Sequence, residues 1–236
     1  AKLAEHKVFQ SVTMKTHIER RFGRDDWIAH IVCLETAGAS VDIKARNLER
    51  MYEAYEDFDS TCSVARKVRK VLNYMARVFD TKTPELDTKW GFIDLYWVLS
   101  YLLDHYVLPG REKDFQNFYL TFEDRRRRVD DIEELIRSGD YLDRLLFDYI
   151  EAFVRSGATK KNVTTRHRVY KEWIHTLMPD LVPVDQTRSF STEERRMIWR
   201  RANEKCQQCS VSIFFEEMHA DHIVPHSRGG QTTLAN

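Results

Sequence analysis

Apolar residues recur at intervals of three and four along most of the chain, from about Lys15 to Met178. The clearest stripe has six members: Val68, Val71, Leu72, Met75, Val78 and Phe79. Basic residues fill the opposite face of the same segment. A period near 3.6 residues is the mark of an amphipathic helix, and strand-like alternation is nearly absent. The sequence therefore predicts a mainly α-helical, multi-helix domain.

The segment from Trp90 to Leu103 is apolar on nearly every side, which predicts a central helix with neighbours all round it. The helix with the apolar stripe is predicted to begin near Ser60, because serine caps helix N-termini well. The other predicted helices are Trp27 to Thr36, Val41 to Tyr55, Asp114 to Arg137, Tyr141 to Arg155 and Val163 to Leu177.

Length and composition set outer limits on the architecture. A chain of 236 residues with 42% apolar positions can bury one large core and a second, small one. The 37 basic and 37 acidic residues balance, so net charge gives no indication of a nucleic-acid partner. Four cysteines, of which only two form a CxxC, do not suit a secreted disulfide scaffold.

Two further features concern the expected localisation of the protein and the completeness of the chain. No charged-then-apolar leader opens it, and no apolar run reaches the roughly 20 residues of a membrane span, so we expect a soluble, cytoplasmic protein with no membrane partner. The chain begins at Ala1 and stops at Asn236 inside a motif, so we also expect it to be a fragment that lacks part of its site.

A domain boundary is expected between Pro179 and Phe190, where the composition changes. It divides the chain into a helical domain (residues 1–180), a linker (181–190) and a small C-terminal module (191–236). Ser191 and Glu194 have the spacing of a capping box, which predicts a short helix to about Asn203.

Two basic clusters are candidates for contact with a nucleic-acid backbone. Arg125 to Arg128 could follow phosphates, but the acidic residues on both sides favour a solvated, neutralised face. A second cluster has few acidic neighbours and is the better candidate, with a solvated face as the open alternative. Its members are Lys160, Lys161, Arg166, Arg168 and Lys171, of which the first four are the predicted DNA contacts.

The residues that carry chemistry lie after Lys205. Cys206 and Cys209 form the CxxC, and Asp221 and His222 stand side by side before Pro225 and a glycine pair that suit a hairpin. Hydrolysis of a phosphodiester needs a base that titrates near neutrality, as histidine does, and a hard divalent cation, for which a carboxylate is a natural ligand. Adjacent side chains on a regular strand point to opposite faces, so both can reach one phosphate only where the backbone bends.

This pattern resembles the HNH (ββα-metal) endonuclease family in the run Asp221-His222-Ile223-Val224-Pro225, the pair Gly229-Gly230 and Asn236. The resemblance implies a small ββα-metal module in which His222 is the general base and Asp221 binds a catalytic Mg²⁺ or Mn²⁺ ion. It implies that Asn236 holds the loop in shape, and that Cys206 and Cys209 supply half of a structural Zn²⁺ site. In the family pattern the other zinc ligands and the second catalytic-metal ligand come after the position of Asn236, so this chain alone is expected to lack activity. The implied substrate is DNA.

Each assignment has a simpler alternative. The two thiols could hold no metal, and Asp221 and His222 could be a surface pair in a loop. His219 and His226 could contact phosphate or lend a metal ligand, but polar loop histidines without such a role are more common. Arg200 and Arg228 are candidate DNA contacts, and Arg228 could equally be a solvated turn residue.

The helices are also similar to the helical half of GmrSD-type restriction proteins, in Arg24-Asp25-Asp26 to Leu34 and in Val64 to Leu103. This similarity implies restriction of foreign or modified DNA, together with an N-terminal nucleotide-hydrolysing module or partner subunit. Two other functions stay open. One is a zinc knuckle that binds DNA without cutting it, and the other is a regulatory or scaffolding role for the helices.

Overall fold

The computed structural model describes residues 3–12, 23–56, 58–154, 156–185, 187, 189–225 and 228–233. Helices dominate these residues, which confirms the predicted mainly α class. The chain divides into two units. The helical unit comprises Ala1–Leu103 and Gly110–Pro179, and the C-terminal unit comprises Asp104–Pro109 and Asp180–Asn236.

Eight α-helices precede the C-terminal part of the described chain. They are α1 (Gly23–Ala37), α2 (Ala45–Ala54), α3 (Ser63–Val78), α4 (Lys89–His105), α5 (Glu112–Arg127), α6 (Ile132–Arg137), α7 (Tyr141–Glu151) and α8 (Lys160–Leu177). Two short 3-10 helices accompany them, at Lys7–Gln10 and Pro84–Asp87. None of the helices in these described ranges is long and apolar enough to cross a membrane.

The apolar residues lie where their spacing predicts. Helix α4 is buried along most of its length and is the central helix, as expected. All six residues of the predicted stripe on and after α3 are at most 3% exposed, and α3 packs on α1 and α5. Burial of one large apolar side chain contributes about 1.5 to 3 kcal/mol, so this stripe is a major part of the core's stabilisation.

Capping residues shift two helix boundaries from their predicted positions. The predicted helix from Asp114 to Arg137 is two helices, because Asp131 caps α6 by accepting the N–H of Glu133 at 2.9 Å. Helix α3 begins at Ser63 rather than near Ser60, because the sulfur of Cys62 takes the cap position.

The C-terminal unit contains α9 (Thr192–Arg201) and a 3-10 helix at Phe215–Glu217. The predicted capping box is confirmed. The N–H of Glu194 donates to the Ser191 hydroxyl at 3.2 Å, and the N–H of Ser191 donates to the Glu194 carboxylate at 2.8 Å. These bonds satisfy two free N–H groups and fix the start of α9.

Two separate stretches of chain build this unit. The N–H of Val107 donates to the carbonyl of Val182 at 2.9 Å, and the N–H of Val184 donates to the carbonyl of His105 at 2.8 Å. Leu181 and Phe190, at the two ends of the predicted linker, are both buried. The described part of residues 181–190 therefore packs as part of the C-terminal unit.

The predicted ββα arrangement is not visible in the described residues of this unit, where strand pairing is limited to two isolated bridges, Tyr106 to Pro183 and Lys205 to Ser212. Left-handed backbone at Asn203, Glu204 and Ser210 prevents extended pairing around the CxxC. In the predicted hairpin, the carbonyl of Pro225 accepts the N–H groups of Arg228 and Gly230, which closes a tight turn instead of extending a strand.

Candidate functional site

Helix α9 ends abruptly and leads the chain into the CxxC. Asn203 and Glu204 follow it with φ of 53° and 58°, and the N–H of Glu204 donates to the carbonyl of Trp199 at 3.1 Å. Left-handed residues of this kind satisfy the last helix carbonyls while turning the chain away from the axis. The Trp199 indole then donates to the carbonyl of Ile213 at 2.8 Å, so α9 holds both ends of the loop between them.

The CxxC lies in this loop, residues 205–212, which we call the knuckle. The N–H of Cys206 donates to Val211 and the N–H of Ser210 donates to Cys206, both at 2.8 Å. Backbone N–H groups of Cys209 and Gln208 donate to the Cys206 sulfur and lower the pKa of that thiol. A lower pKa favours the thiolate, which is the form that binds zinc. The donor chemistry of Cys206 and Cys209 therefore fits half of a tetrahedral Zn²⁺ site.

Among the residues that the structure describes, no group of three or more His, Cys, Asp or Glu side chains lies close enough together to hold a metal ion. Cys206 and Cys209 would thus be part of the ligand set of a zinc site, and Asp221 would be part of the ligand set of a divalent-cation site.

Asp221 and His222 are reached from α9 by a segment that is tied back to that helix. Met218 is buried, and its carbonyl accepts a bond from the Arg195 guanidinium at 2.7 Å. Asp221 is exposed, and its carboxylate accepts the N–H of His222 at 2.8 Å. Because the backbone here is not a regular strand, the two side chains are not forced to opposite faces.

His222 is half-buried and is held from two sides. Its ring lies against the buried ring of Phe190, with 4.9 Å between centroids and 31° between planes. Its Nε2 lies 3.0 Å from the Thr232 hydroxyl oxygen. Thr232 in turn donates its hydroxyl hydrogen to the carbonyl of Thr187, and its N–H to the Asp185 carboxylate at 2.5 Å.

A groove of about 660 Å³ joins these parts of the unit. Its walls include α9, the knuckle and the Asp221 segment, with Cys206, His219, Asp221 and His222 among the lining residues. The structure thus brings one thiol of the knuckle, the predicted metal ligand and the predicted base to one groove. Its size lies within the range of ligand sites.

The remaining predicted site residues of this unit are placed as follows. Arg200 and Arg228 are exposed, and Arg228 lies in the turn closed by Pro225. Gly229 has φ of +90°, and an added Cβ would lie 3.3 Å from the Val107 side chain, so this turn needs glycine. Asn236 and His226 lie outside the described residues.

The predicted basic cluster on α8 is only partly a surface feature. Lys160 and Lys161 are exposed at the start of the helix. Arg168 is exposed as well, but its guanidinium donates to Asp148 at 2.5 Å and to Glu172 at 3.0 Å. Those two carboxylates neutralise much of the charge that a phosphate would meet.

Arg166 has a place that is at odds with its predicted phosphate contact. Its side chain is 0% exposed, and it donates to the buried Asp94 carboxylate at 2.7 Å and to the carbonyl of Gly157 at 2.7 Å. The guanidinium also lies over the rings of Phe153 and Trp90. It satisfies a buried charge in the core of the helical unit, which sequence spacing alone did not reveal.

The other basic run supports the neutralised-face interpretation. Each of its four members has an acidic partner: Arg125 pairs with Asp143 at 2.7 Å, Arg126 with Glu123 at 2.6 Å, Arg127 with Asp87 at 2.9 Å and Arg128 with Asp124 at 2.9 Å.

Sequence reasoning missed three residues around His222. Phe190 carried a usable signal, because an apolar residue directly before a capping box is commonly buried. Asp185 and Thr232 carried none, since the bond between them joins positions 47 residues apart in a region without periodicity.

Comparison with known proteins identifies one part of the chain. The model of the HNH endonuclease family matches residues 206–236, which include Cys206, Cys209, Asp221 and His222. No protein of established function and no solved structure gives a match. The similarity of the helices to GmrSD-type proteins therefore has no support from these comparisons. The C-terminal stretch carries an HNH endonuclease match, which suggests a nuclease-type function with DNA as its substrate.

Proposed function

We propose that the C-terminal unit hydrolyses DNA phosphodiesters as an HNH-type nuclease, with His222 as the general base and Asp221 as a ligand of a Mg²⁺ or Mn²⁺ ion. One observation carries the proposal: Asp221 and His222 line one groove, inside the stretch that the family model matches. Asn236 is the proposed loop-shaping residue.

The residues present suit the two roles that hydrolysis requires. Histidine is the residue type that most often serves as a general base, and His222 supplies its imidazole to the groove. Asp221 offers an exposed carboxylate, the ligand type that hard divalent cations prefer. The bound ion would supply charge neutralisation at the phosphate. Cys206 and Cys209 would hold part of a structural Zn²⁺ site that keeps the knuckle in shape.

DNA contact is proposed for the exposed basic residues of the predicted set. Arg200 and Arg228 belong to the C-terminal unit, and Lys160 and Lys161 belong to the helical unit. These side chains would contact phosphates, which position a duplex without reading its sequence.

The test is a plasmid-nicking assay with the protein in Mg²⁺ or Mn²⁺. His222→Ala should lower the cleavage rate by about 10² to 10⁴-fold, the usual contribution of a general base. DNA affinity and folding should stay unchanged. His219→Ala, in the same groove, is the matched control and should cut near the parental rate. A His222→Ala protein as fast as the parent would contradict the proposal, and a parent that binds DNA without cutting would favour the knuckle as a binding module.

Asp221→Ala completes this experiment, because its defect has a different origin. Loss of a metal ligand lowers the occupancy of the ion, so a higher divalent concentration should recover part of the cleavage rate. The same titration should not recover His222→Ala, whose defect lies in proton transfer. Equal responses of the two variants would remove the distinction between ligand and base.

The proposed biological setting is restriction of foreign or modified DNA, and it rests on the sequence similarity of the helices alone. Comparing cleavage of unmodified DNA with cleavage of phage DNA that carries modified bases, with and without nucleoside triphosphates, tests it. Equal rates on both substrates would argue against this setting while leaving the nuclease proposal in place.

A further inference from the structure

Another groove, of about 650 Å³, lies entirely within the helical unit. One of its walls is a face of α1, where Asp25, Ile28, Ala29 and Val32 have the i, i+3, i+4, i+7 spacing of a helix face. The three apolar members of this face keep 6–8% of their surface exposed, whereas Ile31 on the same helix is fully buried. The face spans two helical turns, about 10 Å.

A second wall comes from the end of α2 and the turn that follows it. Met51 is buried there, while Tyr52 is 57% exposed and Tyr55 is 46% exposed. The N–H of Tyr55 donates to the carbonyl of Met51, and the N–H of Phe58 donates to the carbonyl of Tyr55, both at 3.1 Å. These bonds fix the wall, so the two tyrosine rings are presented by an ordered backbone. Exposed tyrosines beside an apolar surface are typical of protein interfaces.

The groove carries negative charge. Its acidic lining residues are Asp25, Glu56 and Asp59, and no Lys, Arg or His is among the described residues that line it. Burial and the carboxylates of Asp25 and Asp26 raise the pKa of the Tyr52 hydroxyl, because negative surroundings disfavour the phenolate. Arg69, which donates to the carbonyl of Ser60, offsets part of this charge without lining the groove. A ligand that suits the groove is therefore apolar on one side and positively charged at its edges.

We propose that this groove, which we call the acidic groove, binds the apolar face of a basic amphipathic helix of a partner protein. Such a helix places apolar side chains at i, i+3, i+4 and i+7, over the same two turns that α1 offers, and its Lys and Arg side chains lie beside the carboxylates of the groove. It also covers the rings of Tyr52 and Tyr55, which a ligand confined to the apolar α1 wall leaves exposed. The inference does not depend on the proposed nuclease activity, since it concerns other residues.

The probe is a synthetic peptide of about 14 residues, with leucines on one helical face and lysines elsewhere, long enough to form a helix when bound. One control peptide has the same composition in scrambled order, and the other has glutamate in place of lysine. Fluorescence anisotropy with the protein should give a Kd of roughly 1 to 100 µM for the probe and a Kd at least about tenfold higher for each control. Equal binding of the scrambled peptide would overturn the amphipathic fit, and equal binding of the glutamate peptide would overturn the charge complementarity.

Variants of the tyrosine wall test the apolar contact. Tyr52→Ser with Tyr55→Ser should weaken probe binding about tenfold or more, because aromatic side chains at the centre of an interface carry much of its affinity. Both residues are exposed, so the melting temperature should stay unchanged. An unchanged Kd would mean that the peptide binds elsewhere and would overturn the proposal.

Variants of the acidic residues test the charge. Glu56→Gln with Asp59→Asn should weaken binding about 3 to 10-fold at low salt, and the difference should shrink at high salt because exposed ion pairs are screened. Glu49→Gln with Glu53→Gln is the matched control, since it removes the same charge from exposed positions of α2 that do not line the groove. Equal losses in the two double variants would reduce the effect to net charge and would contradict a specific site.

A direct readout of the site needs no variant. In ¹H–¹⁵N spectra, the amide peaks of Ile28, Ala29 and Val32 should move on addition of the probe, whereas unmoved peaks at saturation would overturn the proposal. Absence of binding at roughly 1 mM probe would overturn it as well. Sedimentation that shows the parent to be a dimer, and the double tyrosine variant to be a monomer, would assign the groove to a second copy of this chain instead of a basic helix.

Discussion

Arg166 is buried in the core, although its position in the sequence placed it in a basic cluster that was predicted to contact DNA. Its guanidinium is enclosed by Asp94, the carbonyl of Gly157 and the ring of Phe153, 4.5 Å away. A buried ion pair of this kind is expensive to disrupt, because removal of one partner leaves the other charge in the core without compensation. The pair therefore matters for folding of the helical unit.

We predict that Arg166→Met lowers the free energy of unfolding by about 3 to 5 kcal/mol, measured by urea denaturation. Arg168→Met is the matched control on the same helix, since its exposed ion pairs are worth about 1 kcal/mol or less. Replacing Asp94 and Arg166 together with apolar residues should recover part of the loss. Equal effects of the two single substitutions would contradict the structural role of Arg166.

Residue types at a known spacing led to the prediction of Asp221, His222 and the two cysteines, which lie in the stretch that the family model matches, and their individual roles stay predictions. The partners that hold His222 could not be found in this way. Thr232 and Asp185 are common polar residues, and their role depends on a tertiary contact that leaves no local pattern. Arg166 was misplaced for the same reason, since its partner Asp94 is 72 residues away.

At the scale of the element, the basic residues of α8 lie in different environments. Lys160 and Lys161 are exposed at its N-terminal end, Arg166 is buried, Arg168 is bound to carboxylates, and the half-buried Lys171 lies over the Tyr101 ring. Of the four predicted DNA contacts on this helix, Lys160 and Lys161 remain the candidates.

We predict that Lys160→Ala with Lys161→Ala weakens DNA binding about equally for all sequences and flattens the dependence of log K on log salt by roughly 0.9 for each lost phosphate contact. Fluorescence anisotropy at several salt concentrations measures this slope. Lys113→Ala with Lys82→Ala removes the same charge elsewhere and serves as the control. An unchanged slope in the α8 variant would identify its lysines as a solvated face.

Most of the helices were predictable from the sequence, although α6 was not predicted as a separate helix, and helix boundaries were less predictable. The period of the apolar residues identified α3 and α4 because burial of one face decides whether a helix forms. A helix boundary depends on which nearby polar group accepts a free backbone N–H. Cys62 accepts it at the start of α3 and Asp131 at the start of α6, and the free energies of alternative caps differ little. The C-terminal ββα arrangement is not visible in the described residues, where the Pro225 carbonyl accepts backbone N–H groups in a turn.

At the scale of the whole molecule, the C-terminal unit depends on a stretch that is distant in sequence. Residues 105–107 supply backbone partners to Val182 and Val184, and Leu108 is fully buried. We predict that a fragment of residues 180–236, prepared with Zn²⁺, gives a poorly dispersed ¹H–¹⁵N spectrum, while a chain beginning at Lys89 retains the peaks of the C-terminal unit. A fragment spectrum that superimposes on that of the full chain would contradict this dependence.

The close approach of Gly229 to Val107 has a consequence for inheritance. A recombination event that exchanged only the gene segment after residue 180 would pair the Val107 side chain with a new turn, in which any residue with a Cβ at position 229 would lie 3.3 Å from it. Gly229 and Val107 must therefore be inherited together, or later mutations must restore a pair of residues that fits. Proteins of this architecture should exchange their C-terminal units far less freely than proteins whose modules are encoded without interruption.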